Sequence, residues 1–255
     1  MRKYDLIISI GRDCGCTTYL RDNNLQIMSY PFDWLTNASL STRLSLILND
    51  FENFINIDDL TIINDKVERA ENYHYDYYEN CKNGIYFYHD FPAGSPLTES
   101  YPVVEEKYKR RIKRFYNDID ANQQVLFVWY SHFGRDLDNK ELLNFSKQIN
   151  SKFGKEIDFF IIDNDHQVNN YQITELSSTV RVCRANTDVN GTMKTTLGDE
   201  RLGTKIFTEQ FQLSKGKLPF IKKAARNFTY KIIGSIIFCH DKKKRKNFRR
   251  KYIRK

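Results

Sequence analysis

The stretch "DLIISIGRDCGCTTYL", residues 5–20, decides the fold. Leu6, Ile7 and Ile8 form a continuous apolar run, which suits a strand covered on both faces better than one with a wet side. Gly11 interrupts the run, and a helix-forming segment follows within a few residues. The pattern predicts a strand over 4–10 and a helix from about Cys16 to Asn23. It also puts Cys14 between the two, where a thiol is either a small buried hydrophobe or a nucleophile activated by a helix N-terminus.

The same alternation repeats along the chain. "SLSTRLSLILNDFENF" (39–54) has helical spacing with Ser39 or Ser41 as cap, and "GIYFYHDF" (84–91) is β-rich and ended by Pro92. "YPVVEEKYKRRIKRFYNDID" (101–120) spaces Val104, Tyr108, Ile112, Phe115 and Ile119 as an amphipathic helix. "QQVLFVWYSHF" (123–133) reads as a strand, "NKELLNFSKQINSKFG" (139–154) as a helix stopped by Gly154, and "EIDFFIIDNDH" (156–166) and "TVRVCRA" (179–185) as strands. Apolar strands alternating with helices predict an α/β fold: a mostly parallel sheet with helices on both faces, three-layered and Rossmann-like. Residues 1–212 read as a single domain, with an irregular excursion at 55–83, and residues 213–255 as an appendage.

Composition limits what the domain does. The longest apolar runs fall far short of the roughly 18 residues that span a bilayer, and "MRKYDLII" lacks the pattern of a secretory signal. A cytoplasmic setting is expected. Five cysteines without a CxxC pair or a Cys/His metal spacing predict reduced thiols, and no metal or other cofactor is expected. The net charge of +8 belongs to one end, since residues 241–255 hold ten Lys/Arg and one acid. A nearly neutral body argues against a nucleic-acid groove.

In an open α/β sheet, ligands bind outside the carboxyl ends of the strands. Those ends deliver Gly11, Asp13 and Cys14; His89 and Asp90; Ser131 and His132; and Asp163, Asp165 and His166. A Cys–His pair is the economical reading, with Cys14 as nucleophile and His89 as first choice for base. Asp163 or Asp165 would orient the imidazole, with His166 nearby, and the backbone of Cys14 and Gly15 would supply an oxyanion hole. Gly11, Asp13, Gly15, Asp33, Asp90, Ser131 and His132 are expected around the substrate. A divalent ion on His89, Asp90, Asp163 and His166 is a weaker option without diagnostic spacing.

"ISIGRDCGCTTYLRDNNL", "SYPFDWL", "FYHDF" and "EKYKRRIKRF" before "VLFVWY" together resemble a bacterial family of papain-like cysteine peptidases of uncharacterised function, over roughly residues 4–165. The resemblance implies a Cys–His hydrolase in which Cys14 and His89 match the motif residues, and a papain-like α+β fold as the alternative architecture. A nucleophile directly after the first strand and a DxxH pattern, Asp163 to His166, also look like SGNH-type esterases with Cys in place of Ser. Phe32, Asp33 and Trp34 of "PFDW" equally suit two core aromatics around a cap.

"LPFIKKAARNFTYKIIGSIIF" (218–238) carries Ile221, Ala225, Phe228, Ile232 and Ile236 on one helical stripe beside basic residues, and "KKKRKNFRRKYIRK" follows. An amphipathic helix with a polybasic segment predicts a peripheral anchor on an anionic membrane through 218–255. This end is also similar to those of bacterial surface-polysaccharide glycosyltransferases on the inner membrane, which implies a glycan-linked or small-molecule substrate. The expected activity is thus cysteine-dependent hydrolysis or acyl transfer in surface polysaccharide synthesis. The alternatives are a glycosyl- or phosphoryl-group transferase that binds a sugar nucleotide, and a non-catalytic binding protein.

Overall fold

The structure is a computed structural model that describes residues 1–26, 28–66, 74–188 and 198–214. The amphipathic helix and polybasic end expected at 213–255 lie outside them, apart from the first two residues.

The opening run divides in two. Arg2–Tyr4 (β1) leaves to pair with the last described strand, Phe211–Leu213 (β11), while Leu6–Ser9 (β2) enters the main sheet. Asp5 separates them and accepts from Gln124 N–H. The helix then begins two residues earlier than its hydrophobic pattern implies, at Cys14–Asp22 (α1), because Asp13 caps it.

The main sheet holds β2, Val125–Ser131 (β7), Ile157–Asn164 (β8), Val180–Ala185 (β10) and Tyr171–Glu175 (β9), in the order β2-β7-β8-β10-β9. All pairs are parallel except β9 with β10. Every residue of β7 is buried, as its unbroken apolar run requires. The register sets Ser131 beside Asp163 and Asn164 beside Ala185, so the residues that follow emerge along one edge. Asn139–Phe153 (α4) returns the chain from β7 to β8, with Asp138 and Glu141 forming a capping box and Gly154 as the left-handed stop.

A second sheet corrects the reading of "GIYFYHDF". Ile85–Pro92 (β6) is not part of the parallel sheet; it lies in a four-stranded antiparallel one with Leu35–Asn37 (β3), Tyr75–Asn80 (β5) and Leu60–Ile62 (β4), in the order β3-β6-β5-β4. The cause is local. Asn80 Oδ1 accepts from Lys82 and Asn83 N–H, and Gly84 has φ +66°, so the chain turns back within four residues and pairs with itself. The 55–83 excursion therefore contains two strands of this sheet.

Leu40–Leu48 (α2) starts from the Ser39 cap, and Leu97–Ala121 (α3) buries Val104, Tyr108, Phe115 and Ile119. One aromatic chain runs through the interior, from Phe87 to Tyr108, Phe54, Phe51, Phe115, Phe127 and Phe159. It joins both sheets in a single core, each fully buried ring contributing about 1.5–3 kcal/mol. Glu200–Gln210 (α5) completes the described fold, which is mixed α/β with several sheets. Met1–Leu213 form one compact unit.

Candidate active site

The turn from β2 to α1 is built by close packing. Ile10 N–H and Arg12 N–H extend the β7 pairing onto Val128 O and Tyr130 O. Between them, a Cβ at Gly11 would stand 2.4 Å from Cys16 Cβ, so only glycine lets the helix approach. Buried Arg43 fixes the turn from behind. Its guanidinium donates to the carbonyls of Arg12 (2.8 Å), Leu35 (3.2 Å) and Ala38 (3.2 Å), and burial pushes its pKa down to about 9. Asp13 Oδ1 accepts from Gly15 N–H at 2.8 Å, and burial raises the Asp13 pKa.

Cys14 is the first residue of α1 and half-buried, at the end of the helix whose dipole favours a thiolate. Cys16 and Cys183 are buried, and burial pushes each thiol up to about 12. Cys81 is exposed on the hairpin turn beside Thr61.

Beside β2, buried His132 directly follows strand β7. Its Nδ1 lies 3.1 Å from Thr187 Oγ1 and 3.8 Å from Asp188 Oδ1, and its Nε2 lies 3.4 Å from the Tyr130 hydroxyl. Asn164, at the end of β8, donates to His132 O (3.3 Å) and Asp188 Oδ1 (3.0 Å) and accepts from Thr187 N–H (2.9 Å). Gly198, at φ +60°, passes so close that an added Cβ would stand 2.3 Å from His132 Cε1. Asp13 and His132 interact electrostatically, and both line one pocket of about 280 Å³ with Arg12, Phe133, Tyr86 and Tyr88.

The other expected residues take different places. His89 is exposed on β6, edge-on to Tyr75 with centroids 6.1 Å apart; partial burial and the Lys107 ammonium lower its pKa. Its pairing expected with Cys14 is not formed among the contacts of the described residues. Asp90 accepts from the Tyr108 hydroxyl (2.8 Å) and pairs with Lys107. Asp163 is held by Arg135 at 2.8 Å, and burial raises its pKa. Asp165 accepts from Gln167 N–H and pairs with Arg184, so neither acid meets His89. His166 is exposed, with Nδ1 3.5 Å from Asp188 Oδ2. Gly15 N–H is taken by Asp13 and does not serve as the expected oxyanion donor.

Ser131 Oγ accepts from Phe133 N–H and shapes the turn behind His132. Asp33 lies beneath α1 and accepts from Thr17, Gln26 and Tyr30; Phe32 is core and Trp34 half-buried. Asp33 is thus a buried packing residue; it caps no helix among the described residues, and of the two aromatics around it only Phe32 is core. The set His89, Asp90, Asp163 and His166 is divided between the two sheets, and no group of three or more His, Cys, Asp or Glu among the described residues is arranged to hold a metal. Asn164, Thr187, Asp188 and Gly198 were not singled out from the sequence. The strand-end rule that found His132 extends to "NTD" (186–188), directly after β10.

A cysteine that begins a helix and an anchored histidine that follows the neighbouring strand thus stand along one edge of a mixed α/β frame. The chain belongs to the family described as "Putative papain-like cysteine peptidase (DUF1796)", whose model matches residues 5–166. The matched region takes in Cys14, His132 and Asn164. It is also similar to "Uncharacterized protein R408" of Acanthamoeba polyphaga mimivirus, at 29% identity over 135 residues. That match covers 48% of this chain and 60% of the mimivirus protein, so the chain spans less than two thirds of this curated relative. No solved structure matches.

Proposed function

We propose that the protein performs cysteine-dependent acyl chemistry, hydrolysis or transfer, with Cys14 as nucleophile and His132 as base. The observation that carries this reading is the arrangement of His132, whose Nδ1 faces Thr187 and Asp188 at the edge where Cys14 begins α1. In this mechanism the Cys14 thiol gives its proton to His132, and the thiolate attacks a substrate carbonyl. The tetrahedral intermediate collapses to a thioester as His132 protonates the leaving group. Water or an acceptor then attacks the thioester, giving its proton to His132, and the thiol is restored. Thr187, with Asp188 beside it, orients the imidazole.

A three-layer, Rossmann-like arrangement is the finer fold reading that fits this placement. From the sequence alone we extend the proposal to peripheral attachment at the inner membrane through 218–255, in a bacterial cytoplasm, and to a glycan-linked substrate in polysaccharide synthesis. No helix among the described residues is long and apolar enough to cross a membrane. The sugar-nucleotide transferase alternative draws support from a polar cavity of about 500 Å³ lined by Asn170, Asn186, Asp199, Arg201 and Lys205, next to Asp188. Thermal stabilisation by sugar nucleotides tests it.

The direct test of the thiol reading is the pH dependence of Cys14 alkylation by iodoacetamide, followed by peptide mass. An apparent pKa below about 8.5 is expected. His132→Ala should slow the reaction at pH 7 by about a hundredfold, while His89→Ala should leave it unchanged. The opposite ranking restores His89 as base.

A further inference from the structure

We infer that the pocket beside His132 receives the acyl side of the substrate and takes an aromatic ring; the inference rests on the thiol–imidazole reading above. Its walls come from both sheets. Tyr86 and Tyr88, two residues apart on β6, point the same way with ring centroids 5.8 Å apart. Phe133 follows His132 directly and is 62% exposed, an apolar surface left in water at the mouth of a pocket. The Arg12 guanidinium lies 4.5 Å from the centre of the Phe133 ring and acts electrostatically on Asp13, which lines the same pocket, without an ion-pair contact among the described residues. Arg12 therefore offers a cationic face to an incoming π system.

The spare polar groups are few. Thr36 Oγ1 is near the Tyr88 hydroxyl without a well-formed hydrogen bond, and Asn37 Nδ2 is already donated to Gly84 O at 2.9 Å. A sugar ring needs partners around its whole edge, whereas an aromatic ring needs faces to stack on. Three aromatic side chains and one guanidinium meet the second requirement. The volume of about 280 Å³ has room for one ring-bearing side group.

The experiment compares alkylation of Cys14 in the full chain by iodoacetamide and by N-(2-phenylethyl)iodoacetamide, each normalised to its rate with glutathione. The phenylethyl reagent should be faster by about tenfold at equal low concentration. The ratio, taken within each protein, should fall towards one in Phe133→Ala and in Tyr88→Ala. A ratio near one in the unaltered protein overturns the inference. So does a ratio that both variants keep, or a sugar-bearing iodoacetamide that outpaces the phenylethyl reagent.

If neither reagent labels Cys14, the nucleophile reading fails by itself and the pocket is tested without it. Saturation-transfer NMR then follows 3-phenylpropionamide on the Cys14→Ser protein. Ring-proton signals that disappear in the Cys14→Ser, Phe133→Ala double variant support the pocket, and an absence of signal overturns it.

Discussion

The molecule contains two histidines that look alike in sequence and differ in fate. "WYSHF" and "FYHDF" both set an imidazole behind β-rich aromatics, yet His132 is buried at the end of a parallel strand and His89 is exposed on an antiparallel one. Strand direction makes the difference. Parallel neighbours all finish on one edge, so β2, β7, β8 and β10 bring Asp13, His132, Asn164 and Asp188 towards one another. Antiparallel neighbours finish on opposite edges, and the polar residues of β6 find partners on a helix instead, as Asp90 does with Lys107 and Tyr108.

If that contrast holds, the β6 cluster serves stability and the strand-end cluster serves reactivity. The sharpest separation should come from Asp90→Ala, which leaves the Lys107 ammonium and the Tyr108 hydroxyl without their partner. A loss of about 3 kcal/mol in urea unfolding is expected, with Cys14 alkylation unaffected. A drop in alkylation instead would break the comparison.

Gly198→Ala probes the other region. Positive φ and the approach to His132 leave no place for a methyl group, so the imidazole should shift. Cys14 alkylation at pH 7 should slow by about ten- to a hundredfold, measured by mass spectrometry on protein whose circular dichroism is retained.

The smallest effect belongs to His89. Packing and Lys107 disfavour its protonated form, so its folded pKa lies below the unfolded value. The resulting stability is present above the unfolded pKa of about 6.5 and is lost as pH falls through the folded pKa. Urea midpoints at pH 7.5 and pH 5 should therefore differ less in His89→Gln than in the unaltered chain. An equal difference would mean that His89 does not sense its surroundings.

The parallel sheet was legible because burial on both faces leaves an unbroken apolar signature, as in "VLFVWY" and "DFFII". The helix at 139–153 was legible because its caps are local. Strand β6 was misassigned because "GIYFYHDF" has the same composition whichever sheet it joins. What separates the two is a turn signal made of Asn80, inside the segment read as irregular, and Gly84, the first residue of the stretch read as a strand. Cys14 was expected between a strand and a helix, and it begins α1. His132 was expected around the substrate; distance along the chain says nothing of Thr187 and Asp188, which reach it through tertiary pairing. Asp33 looked functional for the same reason that it is structural: a carboxylate amid aromatics is conspicuous, and here it satisfies three donors beneath α1.

The grip of Arg43 on three carbonyls bears on how this site can be moved or redesigned. Its hydrogen bonds tie the residue before Asp13 to the chain around Leu35 and Ala38, segments that share no secondary-structure element with it. Lysine, with a single ammonium, does not reproduce the planar fork that reaches all three. Grafting "SIGRDCG" alone onto another α/β scaffold would transfer the letters without the geometry. The smallest portable unit runs from β2 through α2, and an engineer wishing to transplant the cysteine must carry its arginine as well.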